Sequence, residues 1–397
     1  MPIRSIKDVK NLAGKHVLVR VDFNVPVKKG KVEHDFKIQK TLPTIRYLLS
    51  KGVKLILVSH LGRPQGVDVK LNLKPVAKQL EKLLGKSIQY HSTKIVTRSY
   101  FEKTKVAIEK MKPGEVIMLE NIRFFSEERE NKDSLAQELA GLADIFVSDC
   151  FGVTHHPAPS ISGVTKYLPS YAGLLLLEEI TILSEVMKKP QRPLVVVLGG
   201  AKVETKIPVL KYLLPRADYI LVGGQIATTY LWAKGYSVGG SRVGEAWQGD
   251  ILRYCSKKKV IVPVDFVVGT KDGKKTRVME VNSLFKITDS RFSVYDIGPL
   301  TVRLFAHYIK QARTLVWNGA MGMFEQHPYE FGTFALADLF AARSRGRAFG
   351  VVGGGETGEV IQQRGLIEQI DLISTGGGAM LEFLSGKKLP GLEALKK

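Results

Sequence analysis

The chain has 397 residues, 44% hydrophobic and 24% charged, with a formal net charge of +21 at pH 7. That length favours two domains, and the composition is that of an ordinary globular protein with apolar residues for two buried cores. No run of eighteen apolar residues occurs, which argues against a membrane span, and two cysteines, Cys150 and Cys255, make neither a disulfide framework nor a zinc spacing.

The opening MPIRSIKDVKNLAGKH has no apolar core of a secretory signal. A reducing, cytoplasmic setting is expected. The first strand is HVLVRVDFN at 16–24, the second LILVSHLGRP at 55–64. Between 73 and 84, Val76, Leu80, Leu83 and Leu84 share one helical face, and Gly85 follows as a C-terminal cap. Strands VIMLENIR (116–123) and IFVSDCFG (145–152) flank a helix at 133–144. Leu174 to Met187 reads as one apolar-rich helix, the pattern running on over 178–189, with Pro190 and Pro193 ending it. Then come LVVVLGGAK (194–202), YILVGGQ (219–225), VIVPVDF (260–266), TLVWNGAMG (314–322), AFGVVGGGET (348–357) and LISTGGGA (372–379). Continuous Val/Ile/Leu runs like these predict parallel strands buried on both faces. Residues 269–276, GTKDGKKT, lack the glycine-to-lysine spacing of a P-loop, so Asp272-Gly273 is expected to turn a β-hairpin.

Strand, helix, strand at these intervals implies an α/β fold of two doubly wound, mostly parallel, Rossmann-like domains. The expected division is 1–172, a connecting helix and hinge at 173–192, and 193–379.

In open parallel sheets ligands bind beyond the carboxyl ends of the strands. In the first half those ends carry Asp22, Asn24, His60, Arg63, Asn121, Arg123, Asp149, His155 and His156, with Lys37 a short interval after the first strand. Cations and donors dominate, which suits a small, multiply charged anion. In the second half the ends are glycine-rich: Gly199-Gly200-Ala201-Lys202, Gly223-Gly224, Asn318-Gly319, Gly353-Gly354-Gly355 and Gly376-Gly377-Gly378. Glycine lets backbone amides approach phosphate oxygens, so a nucleotide site is expected there. Lys202 and Lys206, four apart where strand passes into helix, are expected on one face, aimed at phosphates. An anion pocket on one lobe and a nucleotide pocket on the other imply phosphoryl transfer between them. Lys and Arg are spread along the chain with no run of five or six, so a nucleic-acid partner is not expected.

The motifs VDFNVP (21–26), LPTI (42–45), SHLGRP (59–64), LENIRF (119–124), SDCFG (148–152), LGGAKVETKI (198–207), GGQIA (223–227), DIGP (296–299), WNGAMGMFE (317–325), GGGET (353–357) and the stretch 374–395 follow one another. In this set and order the chain resembles the phosphoglycerate kinase family almost end to end. The resemblance implies reversible phosphoryl transfer between 1,3-bisphosphoglycerate with ADP and 3-phosphoglycerate with ATP, using magnesium, in a monomer. It implies that 380–397 return to the first domain. It places the acid substrate at Asp22, Phe23, Asn24, Lys37, His60, Leu61, Gly62, Arg63, Arg123 and His156. It places the nucleotide at Gly200, Lys202, Lys206, Gly223, Gly224, Gly298, Asn318, Glu325, Gly354, Gly355, Glu356 and Thr357. Lys37, Lys206 and Gly355 take the catalytic positions, Glu325 the ribose contact, and Glu356 the metal position.

Three positions depart from the family pattern. Lys37 stands for an arginine that stabilises the group in flight, and loses the planar fork. His156 takes another arginine position and is cationic only part of the time near neutral pH. Glu356 replaces the magnesium-holding aspartate and carries its carboxylate one methylene further out. A divergent relative acting on another small carboxylate or acyl phosphate, or a non-catalytic nucleotide-binding protein, are the alternative readings.

Overall fold

A computed structural model of the chain describes residues 3–93 and 98–396. Its strands, in chain order, are β1 (His16–Val21), β2 (Val27–Lys28), β3 (Lys31–Val32), β4 (Lys54–Val58), β5 (Gln89–His91), β6 (Val116–Leu119), β7 (Ile145–Asp149) and β8 (Ser170–Ala172), then β9 (Leu194–Leu198), β10 (Tyr219–Val222), β11 (Val260–Ile261), β12 (Asp265–Thr270), β13 (Thr276–Glu280), β14 (Phe292–Ile297), β15 (Thr314–Asn318), β16 (Phe349–Gly353) and β17 (Leu372–Ile373). Contacts group them into two units. The first reaches Thr181 and takes in the C-terminal stretch from Lys388; the second is Ile182–Lys387.

The first unit holds a parallel sheet in the order β5-β6-β4-β1-β7-β8. Side chains of a strand alternate between its faces. Val17, Val19 and Val21 of β1 enter one core with Leu55 and Leu57 of β4. Leu18 enters the other with Ile56, Ile117 and Phe146. Burial on both faces is why these strands read as unbroken apolar runs. The helix Lys74–Leu84 buries Val76, Ala77 and Leu80, and Gly85 ends it at φ 63°, the left-handed conformation expected of such a cap.

The second unit has a parallel sheet ordered β11-β10-β9-β15-β16-β17 and a three-stranded antiparallel sheet ordered β13-β12-β14. The helix Leu174–Lys188 runs across the change of unit at Thr181/Ile182. Strands β12 and β13 pair as the hairpin expected around Asp272-Gly273. The run VIVPVDF differs from its expectation of one parallel strand. It breaks between Ile261 and Asp265, so Val260–Ile261 edge the parallel sheet and Asp265 begins the antiparallel one. Pro263 lies in the break; proline has no N–H to give a ladder.

Candidate functional site

In the first unit the loops after β1, β4 and β6 converge. Asp22 follows β1 and is 6% exposed. Lys37, in the first turn of the helix Phe36–Ser50, brings its Nζ to 2.8 Å from Asp22 Oδ2. Burial alone would raise the Asp22 pKa; the Lys37 charge and hydrogen bond outweigh it, and the carboxyl sits at about 2. His60 follows β4 and is buried, with Nε2 at 4.0 Å from Asp22 Oδ1. Burial and the neighbouring Arg20, Arg123 and Lys37 charges hold His60 well below its usual pKa, against the pull of Asp22. The ring is therefore neutral at pH 7, and that contact is not an ion pair.

The SHLGRP loop is clamped from two sides. Asn24 Oδ1 accepts from Gly62 N at 2.9 Å. Asn121, after β6, accepts from Leu61 N at 3.2 Å and donates to Leu61 O at 2.8 Å. Phe23 N donates to Ser59 Oγ at 2.9 Å, tying the loop after β1 to the same turn. Arg123 Nη1 donates to Gly62 O at 2.6 Å, and its guanidinium is half-buried. Arg63 is exposed, as is His156, whose ring lies 3.8 Å from that of His155. Asn24, His60, Leu61, Gly62, Arg63 and Arg123, after the strand ends, and Lys37, at the start of its helix, thus belong to segments linked by hydrogen bonds. Asp149 does different work from the others on its row of strand ends. It is buried, and its Oδ1 accepts from Leu176 N at 3.1 Å, capping the helix Leu174–Lys188. Burial pushes its carboxyl up to about 7.

A group held below its ordinary pKa stabilises the fold above that ordinary value and loses the contribution as pH falls through the shifted one. For Asp22, from 3.8 to about 2, the contribution is about 2 kcal/mol at pH 7. Asp22→Asn is expected to lower the urea-unfolding free energy by that amount at pH 7, with the deficit shrinking between pH 4 and 2. A deficit independent of pH would refute the charge argument.

In the second unit the glycines meet at the point where the sheet order reverses, between β9 and β15. Gly319, at φ 92°, lies so close to the loop after β9 that a Cβ there would be 2.4 Å from Gly199 O. A Cβ on Gly224, at φ 52°, would be 2.7 Å from Gly200 N. The three loop ends pack backbone against backbone because none has a side chain. Lys206 projects into this cluster: it is 6% exposed, its Nζ donates to Asn318 Oδ1, and its Cε lies 3.4 Å from where a Gly200 Cβ would sit. Glu356 Oε2 is 3.3 Å from the same point. Burial lowers the Lys206 pKa to about 8, with Glu356 opposing. Asn318 Nδ2 is buried without a hydrogen-bond partner in the structure. Thr357 Oγ1 accepts from Gly319 N at 2.7 Å, and Gly354, at φ 104°, precedes the helix Gly355–Gln363. The helix after β9 is Val203–Leu213, so Lys202 lies before its first turn and is exposed while Lys206 is buried. The two lysines therefore differ in setting, where spacing alone put them on one face.

A cavity of about 510 Å³ opens beside the cluster. Of the expected nucleotide residues, Gly200, Gly224, Glu325 and Glu356 line it. Gly223 stands beside it, where a Cβ would meet Met321 Sδ at 2.5 Å. Gly298 is not on the lining; a Cβ there would collide with the Asp265 carboxylate at 2.3 Å. Its apolar lining is Phe266, Val294, Tyr295, Met321 and Phe324, which the sequence pattern does not reveal because in isolation such residues look like core. No cluster of three or more His, Cys, Asp or Glu able to hold a metal occurs among the described residues, and none of their helices is long and apolar enough to cross a membrane.

The profile of the family described as phosphoglycerate kinase matches residues 6–387. Phosphoglycerate kinase of Pelotomaculum thermopropionicum is 42% identical over 404 aligned positions, covering 100% of this chain and 99% of that one. That of Dictyoglomus turgidum is 43% identical, with all of both chains covered. The solved phosphoglycerate kinase structure from Coxiella burnetii superposes with a TM-score of 0.82 at 37% identity over 99% of each chain. The one from Pyrococcus horikoshii OT3 does so with a TM-score of 0.85 at 33% identity over 99% of this chain and 98% of that chain. Fold, cradle and comparisons agree, and the chain belongs to the phosphoglycerate kinase family.

Proposed function

We propose that this chain transfers a phosphoryl group reversibly between ATP and the carboxylate of 3-phosphoglycerate, with the acid held by the first unit and the nucleotide by the second. The observation that carries the reading is the glycine-walled cluster with the Lys206 ammonium inside it. Backbone amides and a buried cation there favour phosphate oxygens and exclude larger side chains. In the first unit Lys37, His60, Arg63 and Arg123 supply donors and charge to the acid's oxygens, and Asp22 fixes Lys37 at 2.8 Å.

The transition state of such a transfer is metaphosphate-like, with charge on its equatorial oxygens. The attacking carboxylate is already ionised at neutral pH, so no general base is needed. Lys206 and the amide of Gly355, at the start of its helix, stabilise charge on the nucleotide side, and Lys37 does so on the acid side. Glu325, exposed on the cavity wall, takes the ribose.

The residues suit a magnesium ion that arrives with the nucleotide. Such an ion keeps several waters and takes one or two protein carboxylates beside substrate phosphates, and Glu356 offers one carboxylate at the glycine cluster. When bound, magnesium neutralises phosphate charge. The free, buried thiols of Cys150 and Cys255 are consistent with a reducing cytoplasm.

The test is a coupled assay with ATP, magnesium and 3-phosphoglycerate. Turnover well above a Lys206→Ala control is expected; turnover at the control's level refutes the reading. Lys37→Arg should raise kcat, because the guanidinium fork meets two phosphoryl oxygens where the ammonium meets one at a time. A fall in kcat would mean that Lys37 is matched to a different geometry.

A further inference from the structure

Arg20 stands where the strand pattern calls for an apolar side chain. It shares the face of Leu18 in β1, yet is 1% exposed. A buried guanidinium is tolerated only when its donors find acceptors, and each of the three nitrogens of Arg20 has one. Its Nε donates to Ser160 Oγ at 2.9 Å and its Nη1 to Val21 O. Its Nη2 lies 3.2 Å from His60 Nδ1. Ser160 in turn donates from Oγ to Glu128 Oε1 at 2.5 Å and from N to Glu128 Oε2 at 3.1 Å. Glu128 is buried as well, and burial raises its carboxyl pKa against the pull of Arg20, so guanidinium and carboxyl group are joined through the serine.

The chemistry of the His60 contact admits one assignment. A guanidinium has five donors, no acceptor, and keeps its proton in proteins. The Arg20–His60 hydrogen bond therefore requires a lone pair on Nδ1. The charged groups facing His60 are Asp22, Arg20, Arg123 and Lys37, and three of the four are cations. A neutral ring with Nδ1 accepting must carry its proton on Nε2. That atom lies 4.0 Å from Asp22 Oδ1, beyond hydrogen-bond reach.

We propose that Arg20, braced by Ser160 and Glu128, is a positioning residue that locks His60 in the neutral Nε2–H tautomer, so that the ring presents a fixed donor to an oxygen of the acid substrate. The substrate half of this statement rests on the proposed function; the tautomer does not.

The full-length protein labelled with 15N-histidine tests it. Long-range 1H–15N spectra are recorded from pH 5.5 to 8, and the His60 signals are assigned by their loss in His60→Gln. The expected pattern is a protonated Nε2 and an unprotonated Nδ1 across the range. An imidazolium or an Nδ1–H form at pH 7 overturns the proposal. In Arg20→Met, where burial and the Arg123 and Lys37 charges still keep the ring neutral, His60 should show mixed tautomers, and KM for 3-phosphoglycerate should rise by about tenfold, of the order carried by one hydrogen bond to a charged group, with a smaller change in kcat. A raised KM with an unchanged His60 spectrum would mean that Arg20 only fills space and would also overturn it. Should Arg20→Met not fold, Ser160→Ala replaces it, with mixed His60 tautomers expected and an unchanged spectrum counting against the proposal. Lack of turnover by the wild type would sink the proposed function, whereas the His60 tautomer would still be decided by the spectra alone.

Discussion

Replacing Lys206 by methionine should lower kcat by about 10²- to 10³-fold, the usual loss when one preorganised donor to a developing anion is removed, and should do so without unfolding the protein. The second half of the expectation follows from the burial of the ammonium. Its pKa falls from 10.5 to about 8, so between those values the unfolded chain holds more protons than the folded one. Stability therefore rises with pH across that window, and below it the full penalty of roughly 3 kcal/mol is present. Methionine removes that penalty. It also leaves Asn318 Oδ1 without its donor, which costs about 1–3 kcal/mol. The two nearly cancel, so the urea midpoint at pH 7 should hold or rise while turnover collapses. The same lysine predicts proton uptake when ATP binds between pH 7.5 and 9, because phosphate favours the charged amine. Calorimetry in buffers of different ionisation enthalpy measures it. Turnover within tenfold of the wild type, or binding heats independent of buffer, would contradict this role of Lys206.

Gly319→Ala should be strongly damaging to the second unit. The residue sits at φ 92°, and an added Cβ would lie 2.4 Å from Gly199 O, 2.5 Å from Gly199 C and 2.8 Å from Gly200 N. All three are backbone atoms and have no rotamer by which to retreat. The backbone strain alone costs about 1–3 kcal/mol, and separating the loops after β9 and β15 adds to it. Gly319 N also donates to Thr357 Oγ1, so the shift would reach the start of the helix Gly355–Gln363. A loss of stability of about 3 kcal/mol or more, with ATP affinity falling in whatever protein remains folded, is expected from thermal unfolding and calorimetry. By comparison Gly249→Ala, inside the helix Gln248–Cys255 and with nothing within 4 Å of the new atom, should leave ATP affinity unchanged and stability unchanged or slightly raised. Equal effects from the two would remove close approach as the reason for the glycines.

The parallel sheets were legible because β1, β4, β7, β9 and β15 are buried on both faces, and such strands carry their assignment in composition alone. Their loop ends were legible for the same reason: polar and glycine residues directly after an apolar run have few other uses. The edge strands of the first sheet were not. Gln89–His91 is polar and three residues long, and nothing in its pattern separates it from a loop. The antiparallel sheet was half seen, through the Asp272-Gly273 turn, but β14 was missed. Arg20 lay in plain view within HVLVRVDFN, and a charge in a strand otherwise buried on both faces is a signal that could have found it. Lys202 and Lys206 show the limit of spacing arguments: the rule of four holds only if both residues lie within the helix, and Lys202 precedes it.

The central claim is a division of labour, with the acid bound by one unit and the nucleotide by the other. Paired calorimetric titrations test it most directly, using full-length Lys206→Met and Arg123→Met proteins. Lys206→Met should bind 3-phosphoglycerate as the wild type does and ATP at least tenfold more weakly, and Arg123→Met should show the reverse. Loss of both ligands in either folded variant, or loss of the wrong one, would contradict the claim.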